Sequence, residues 1–318
     1  MHNSTYTWVD HWARIPDTPF GRENGRTHAV CVTKTGNVVV FHQSVNGLLT
    51  FAPDGRLLAA VGGNRWRGAH GLTKVEENGE EFLWLVDQDS AEVAKARLNG
   101  DVIMTLPRAN HPAYAGTQPR NQYIPTWAAQ NPVNGDIWVA DGYGAWLVHR
   151  YSARGNYLMT IDGTGGAGRF NEPHGINFVI SETGPELFIT DRANHRIVVY
   201  DGEGRFLRAS LSAHSPCCFD FHNGLAVVPE LFTGVKLLRR DTLEFVAEIG
   251  RNAAVGPRPD GGWWPPVMPA GWPNLAGTPQ VKPGAFNSPH SAAFAPNGDI
   301  YVVEWIVGGR ITKLQRRR

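Results

Sequence analysis

One phrase recurs along this chain and constrains its fold more than any other feature. It is a small residue or proline, a polar residue, another small residue and an apolar run. A glycine-bearing turn follows, then a second apolar run that usually closes on an acid. It reads first as Thr27-His28-Ala29-Val30, then Thr35-Gly36-Asn37 and Val38-Val39-Val40-Phe41. It returns as Ala69-His70-Gly71-Leu72 with Phe82 to Asp87, and as Pro125-Thr126-Trp127-Ala128 with Ile137 to Asp141. The fourth copy is Pro173-His174-Gly175-Ile176 with Leu187 to Asp191, and the last is Pro289-His290-Ser291-Ala292 with Ile300 to Glu304. A degenerate copy lies between these two, around Phe219-Asp220-Phe221-His222 and Gly224 to Val228.

Six units result, and self-similarity at this period signals a repeat architecture. Within a unit a third run follows, such as Arg196 to Tyr200, then Asp201-Gly202-Glu203-Gly204 and a fourth run through Phe206-Leu207. Four short strands joined by Gly, Asp and Asn turns describe a propeller blade. No long window shows helical periodicity. The last unit has room for about three strands before the chain ends, and Tyr6 to Trp12 alternates like the missing fourth. The expectation is an all-β, six-bladed β-propeller in one domain, 1–318, with the N-terminal strand closing the last blade. An added strand there covers an edge that would otherwise invite pairing with other chains. Two stretches, about 107–123 and 252–286, exceed the blade rhythm; loops of that length are usually functional. The second holds Trp263, Trp264 and Trp272 among prolines and glycines. It reads as a packed lid, with Trp263 and Trp264 as substrate contacts.

Composition narrows the function classes. Thirty Lys and Arg against 29 Asp and Glu leave a charge of +1, so no global field draws nucleic acid or an anionic membrane. No apolar run approaches the roughly 18 residues of a membrane span. The first residues carry neither a basic nor an apolar export signal, and three cysteines are too few for a disulfide framework. A cytoplasmic protein acting on a small molecule is the expectation.

The first strand of each propeller blade lines the central channel, so residues at one repeated slot converge there. The slot holds His28, His70, Thr126, His174, a residue near Asp220 or His222, and His290. His70, His174 and His290 fall on alternate blades, about 120° apart in a six-fold ring. Three imidazoles so arranged suit a catalytic zinc, or another divalent transition metal, with an open fourth position. His28 and His222 would stand behind them as hydrogen-bond partners of the ligating rings. At the end of two second strands, Asp141-Gly142-Tyr143 and Asp191-Arg192-Ala193-Asn194 add a phenol and a guanidinium. Beside a metal these suit a proton acceptor and a carboxylate anchor; alone, each equally suits a residue that pins its own turn.

The ordered series Pro125-Thr126, Asp141-Gly142-Tyr143, Pro173-His174-Gly175, Asp191-Arg192-Ala193-Asn194 and Pro289-His290 resembles the NHL-repeat propellers. It resembles most closely their peptidyl-α-hydroxyglycine α-amidating lyase branch. The resemblance implies His70, His174 and His290 as zinc ligands, Tyr143 as catalytic base and Arg192 as an arginine facing substrate. A further first-blade arginine would be Arg26 or Arg22. It also implies an Asp holding a structural calcium after the last ligating histidine, where this chain has Ser291, so calcium is not expected here.

Those lyases split a carbinolamide into an amide and an aldehyde acid. The reading is a metal-dependent lyase or hydrolase acting on a small hydroxylated, carboxylate-bearing metabolite. Two alternatives stand beside it: a lactonase-like propeller hydrolase, whose channel usually holds calcium on Glu, Asn and Asp, and a non-catalytic NHL binding scaffold. The histidine-rich slot separates the first reading from both.

Overall fold

In the computed structural model, residues 5–23, 25–252 and 281–317 are described. Trp263 and Trp264, with most of the expected lid, lie outside them. The chain is a six-bladed β-propeller: six four-stranded antiparallel sheets, five built from four strands consecutive in sequence. The sixth is composite, because Tyr6–Val9 pairs with the last strand, Tyr6 opposite Arg316 and Val9 opposite Lys313. Among the described residues no helix is long and apolar enough to cross a membrane.

Residue contacts group the chain into two compact units, Arg67–Phe219 and Met1–Trp66 with Asp220–Arg318. The first unit holds blades two to four, which begin with strands Ala69–Glu77, Trp127–Gln130 and Pro173–Ser181. The second holds blades five, six and one, which begin with Asp220–His222, Pro289–Phe294 and Thr27–Val32. In each, the core lies between facing sheets. Trp84, Val86 and Val93 of blade two meet Ile137, Val139 and Tyr151 of blade three. Val30, Val40 and Phe51 of blade one meet Ala293, Tyr301 and Val303 of blade six.

A strand covered on both faces must be apolar at every position, and this explains the unbroken runs in the sequence. Val38–His42 and Ile137–Asp141 are buried throughout, whereas the fourth strand Leu57–Val61 is half-buried or exposed.

The acids that close the second strands act as clamps. Asp87 accepts the amide N–H of Gly68 at 2.8 Å, Asp141 that of Ile124 at 2.7 Å, Asp191 that of Asn171 at 2.7 Å and Glu304 that of Asn287 at 2.6 Å. Each donor lies two or three residues before the repeated slot, so the acid fixes the segment that delivers the slot residue. Blade one has no acid there; its second strand ends in His42, whose Nδ1 lies 3.1 Å from the Thr27 hydroxyl.

Candidate functional site

The slot histidines are positioned by a break in strand register. In blades two, four, six and one the pairing of first and second strands shifts at the slot, between Ala69 and Leu72, Pro173 and Ile176, Pro289 and Ser291, and Thr27 and Ala29. A bulge re-aims a side chain out of the alternating pattern. It does so here only where the slot holds histidine.

In the unit of blades two to four, His70 and His174 are fully buried, and their rings meet edge-on at 4.7 Å. His70 Nδ1 lies 2.7 Å from the Thr126 carbonyl oxygen, and His174 Nδ1 lies 2.7 Å from that of Cys217. A carbonyl only accepts, so each Nδ1 carries the proton and each Nε2 offers a lone pair. Both lone pairs meet one atom, the Tyr143 hydroxyl, at 3.1 Å from His70 and 3.0 Å from His174. Arg192 donates to the same oxygen from Nη2 at 3.1 Å, and its Nε donates to Glu172 at 3.2 Å.

The glycine after each of these histidines is required by that geometry. A Cβ on Gly71 would strike the Thr126 carbonyl oxygen, and one on Gly175 the carbonyl oxygen of Cys217. These are the two acceptors that hold the imidazoles. Gly142, before Tyr143, is equally confined, by the Pro173 carbonyl and the Thr126 side chain. Thr126 in turn donates its hydroxyl to the His174 carbonyl at 2.9 Å.

Burial sets the charges. It pushes the His70 imidazole down to about 3, so the ring stays neutral. It pushes the Tyr143 phenol up to about 12, against the opposing pull of Arg192. Burial also works against the Arg192 charge, but Tyr143 and Glu172 more than offset this, and the guanidinium is held above its ordinary value.

Two neutral imidazole nitrogens converging beside a phenol are a donor set that could hold a metal ion.

The unit of blades five, six and one carries the other slot residues. His290 is buried with Nδ1 2.8 Å from the His28 carbonyl oxygen, so it too presents Nε2 as an acceptor. His28 contributes that carbonyl, and its ring meets the His290 ring edge-on at 4.7 Å. Arg26 lies over the Trp305 indole at 4.9 Å. Ser291, where the lyases have Asp, accepts the Val30 amide at 3.2 Å. His222 packs on Phe294 at 5.4 Å and pairs with Asn223 at 2.8 Å.

Each Nδ1 acceptor is the slot residue of the following blade: Thr126 after His70, Cys217 after His174, His28 after His290. The fifth slot is therefore Cys217, three residues before Asp220. Cys217 is invisible to a search for polar residues because it acts through its backbone. Glu172, partner of Arg192, was also missed; its positive φ of 58° places it at a tight corner just before blade four.

No protein-family model matches the sequence. Over 160 residues, 48% of its length, the chain is 28% identical to peptidyl-glycine alpha-amidating monooxygenase A of Xenopus laevis, of which the match covers 16%. The B form matches at 29% identity and 17% coverage of its own length. The chain thus spans a small part of these curated relatives. By structure it is similar to a streptogramin B lyase, with a TM-score of 0.59 at 14% identity over 98% of both chains. It is also similar to a gluconolactonase from Xanthomonas campestris, with a TM-score of 0.61 at 12% identity over 98% of this chain and 90% of that one. At such identities the structural likeness speaks for the fold. The chain is a six-bladed β-propeller with sequence relatives among the peptidyl-glycine alpha-amidating monooxygenases, and the proteins it resembles in sequence and in fold are enzymes.

Proposed function

We propose that this chain is a metal-dependent lyase or hydrolase acting on a small hydroxylated, carboxylate-bearing metabolite. The observation that carries the reading is the convergence of the His70 and His174 Nε2 lone pairs on the Tyr143 hydroxyl, which Arg192 also touches. His70 and His174 would hold a divalent transition metal, zinc by the chemistry of the donors. The sequence repeat names His290, at the same slot of the sixth copy, as the third donor. When bound, such a metal supplies Lewis-acid polarisation of a substrate hydroxyl or of water.

The remaining roles belong to the chain's own groups. Glu172 holds the Nε edge of Arg192 and so fixes the plane of the guanidinium. Arg192 then attracts a substrate carboxylate while its charge favours the ionised form of Tyr143. Tyr143, as phenolate, takes the proton of the substrate hydroxyl; in a carbinolamide the C–O bond then becomes a carbonyl as the C–N bond breaks, and the departing nitrogen takes that proton back from the phenol, leaving an amide and an aldehyde acid. Because burial alone keeps Tyr143 protonated, its base role depends on positive charge beside it. The carbinolamide is the analogue offered by the amidating lyases, and lactones are the competing substrate class.

Elemental analysis tests the reading first. Purified protein is expected to carry about one transition metal per chain, and His70→Ala, His174→Ala and His290→Ala each to lose it. Metal content that survives all three substitutions overturns the assignment. A screen of hydroxylated acids, carbinolamides and lactones with the metal-loaded protein then separates lyase from lactonase.

A further inference from the structure

A cavity of about 770 Å³ opens within the unit of blades two to four, lined by residues that play no part in the site above. Among them are Arg120, Trp146, Arg169, Thr160 and Asp162. Its volume lies within the ~300–1,000 Å³ span of small-molecule sites.

Three features set it apart from an ordinary surface hollow. Arg120 and Arg169 are exposed, and among the described residues neither guanidinium has a hydrogen-bonded carboxylate partner, unlike Arg150, Arg196 and Arg208 on the same three blades. Trp146 holds a left-handed backbone, with φ at 62°, which is unusual for a bulky residue and is closed by its N–H donating to the Asp141 carbonyl at 3.1 Å. That conformation turns the indole to the cavity wall, where the Arg120 guanidinium lies over its face.

The remaining polar groups are already engaged. The Thr160 hydroxyl is taken by His149 Nδ1 and the Tyr157 hydroxyl, each at 2.8 Å. Asp162 accepts the Thr164 amide at 3.0 Å and its hydroxyl at 2.6 Å, and these bonds together with the nearby Arg169 charge hold its carboxyl below the ordinary value. Two guanidiniums against this one carboxylate still leave a net positive wall beside the indole.

We propose that this cavity is a second binding site, for a planar small-molecule anion whose charge pairs with Arg120 and Arg169 and whose flat body lies against the stacked Arg120 guanidinium and Trp146 indole. Guanidiniums give carboxylates forked hydrogen bonds, and an indole gives a flat ligand a large contact area at low entropic cost. The site shares no side chain with the proposed metal centre, so its test is independent of the metal reading.

Isothermal titration calorimetry on the full chain, with 2-naphthoate, 2-naphthamide and inorganic phosphate as probes, decides the matter. Naphthoate is expected to bind, and the Arg120→Ala/Arg169→Ala pair and Trp146→Asn (a residue that tolerates the left-handed backbone) each to weaken it by about tenfold or more. Naphthamide is expected to bind at least about tenfold more weakly than naphthoate, since it lacks the charge. Unchanged naphthoate affinity in both variants places the binding elsewhere and overturns the proposal. Equal binding of the amide reduces the site to an apolar hollow, and displacement by phosphate at equal concentration reduces it to a simple ion site; either result overturns it too. Circular dichroism melts of both variants establish that they are folded.

Discussion

The phenol oxygen of Tyr143 sits within 3.1 Å of three nitrogens, two of them acceptors and one a donor. A residue that merely pinned its turn would have no reason to face that set. The turn is already pinned by Asp141, which takes the Ile124 amide and, at 2.6 Å, that of Ala145. The division is the same at Arg192: neighbouring Asp191 anchors the corner through Asn171, Asn194 and Arg196, leaving the arginine to reach the phenol. Tyr143→Phe is therefore expected to lower kcat by about 10²–10⁴ with little change in KM, the signature of a lost general base. Arg192→Lys keeps the charge and loses the fork, so KM for carboxylate-bearing substrates should rise most. Near wild-type kcat in Tyr143→Phe, with metal content confirmed, would remove the phenol from the chemistry.

At the scale of the strand, the His-Gly pair and the bulge beneath it form one device. The bulge aims the imidazole, and the glycine lets the next blade's carbonyl come close enough to hold Nδ1. Gly175→Ala should push the Cys217 carbonyl away from His174, costing about 1–3 kcal/mol of stability together with metal content. Gly165→Ala, where a Cβ meets nothing within 4 Å, is the control and should change neither. Denaturant midpoints and elemental analysis on both variants check this; equal behaviour would mean that the close approach at Gly175 is relaxed without consequence. His290 achieves the same Nδ1 contact with Ser291 after it, so the glycine is a local requirement of blades two and four.

For the molecule as a whole, buried neutral histidines tie stability to pH. Burial, followed by the His111 charge, pushes His149 down to about 3, and burial pushes His42 down to about 4. In the unfolded chain both titrate near 6.5, so between that value and the folded values the unfolded state holds more protons. Their contribution is complete above about pH 6.5 and is lost as the pH falls, at up to about 1.4 kcal/mol per pH unit for each ring. His149 sits between the Tyr114 hydroxyl at 2.6 Å and the Thr160 hydroxyl at 2.8 Å. His149→Gln should therefore flatten the acid limb measured by urea midpoints between pH 7.5 and 4.5. The same slope in variant and wild type would show that this ring does not contribute to it.

The amino-acid order determined the blade count, the composite last sheet and the slot that carries His28, His70, His174 and His290. Repetition and apolar runs are local properties, and burial on both sheet faces writes them directly into the chain. Tyr143 and Arg192 were legible only as residues following an acid, because the same acids serve as clamps in blades whose next residue does nothing comparable. What the tertiary structure decided is how blades meet one another. The Thr126 and Cys217 carbonyls that fix the tautomers of His70 and His174 belong to the following blade, and backbone acceptors leave no mark on side-chain identity. The convergence of two lone pairs on one phenol likewise depends on strands 31 and 73 residues apart being brought within hydrogen-bond reach. Spacing along a chain does not encode a distance of 3 Å; packing between sheets does.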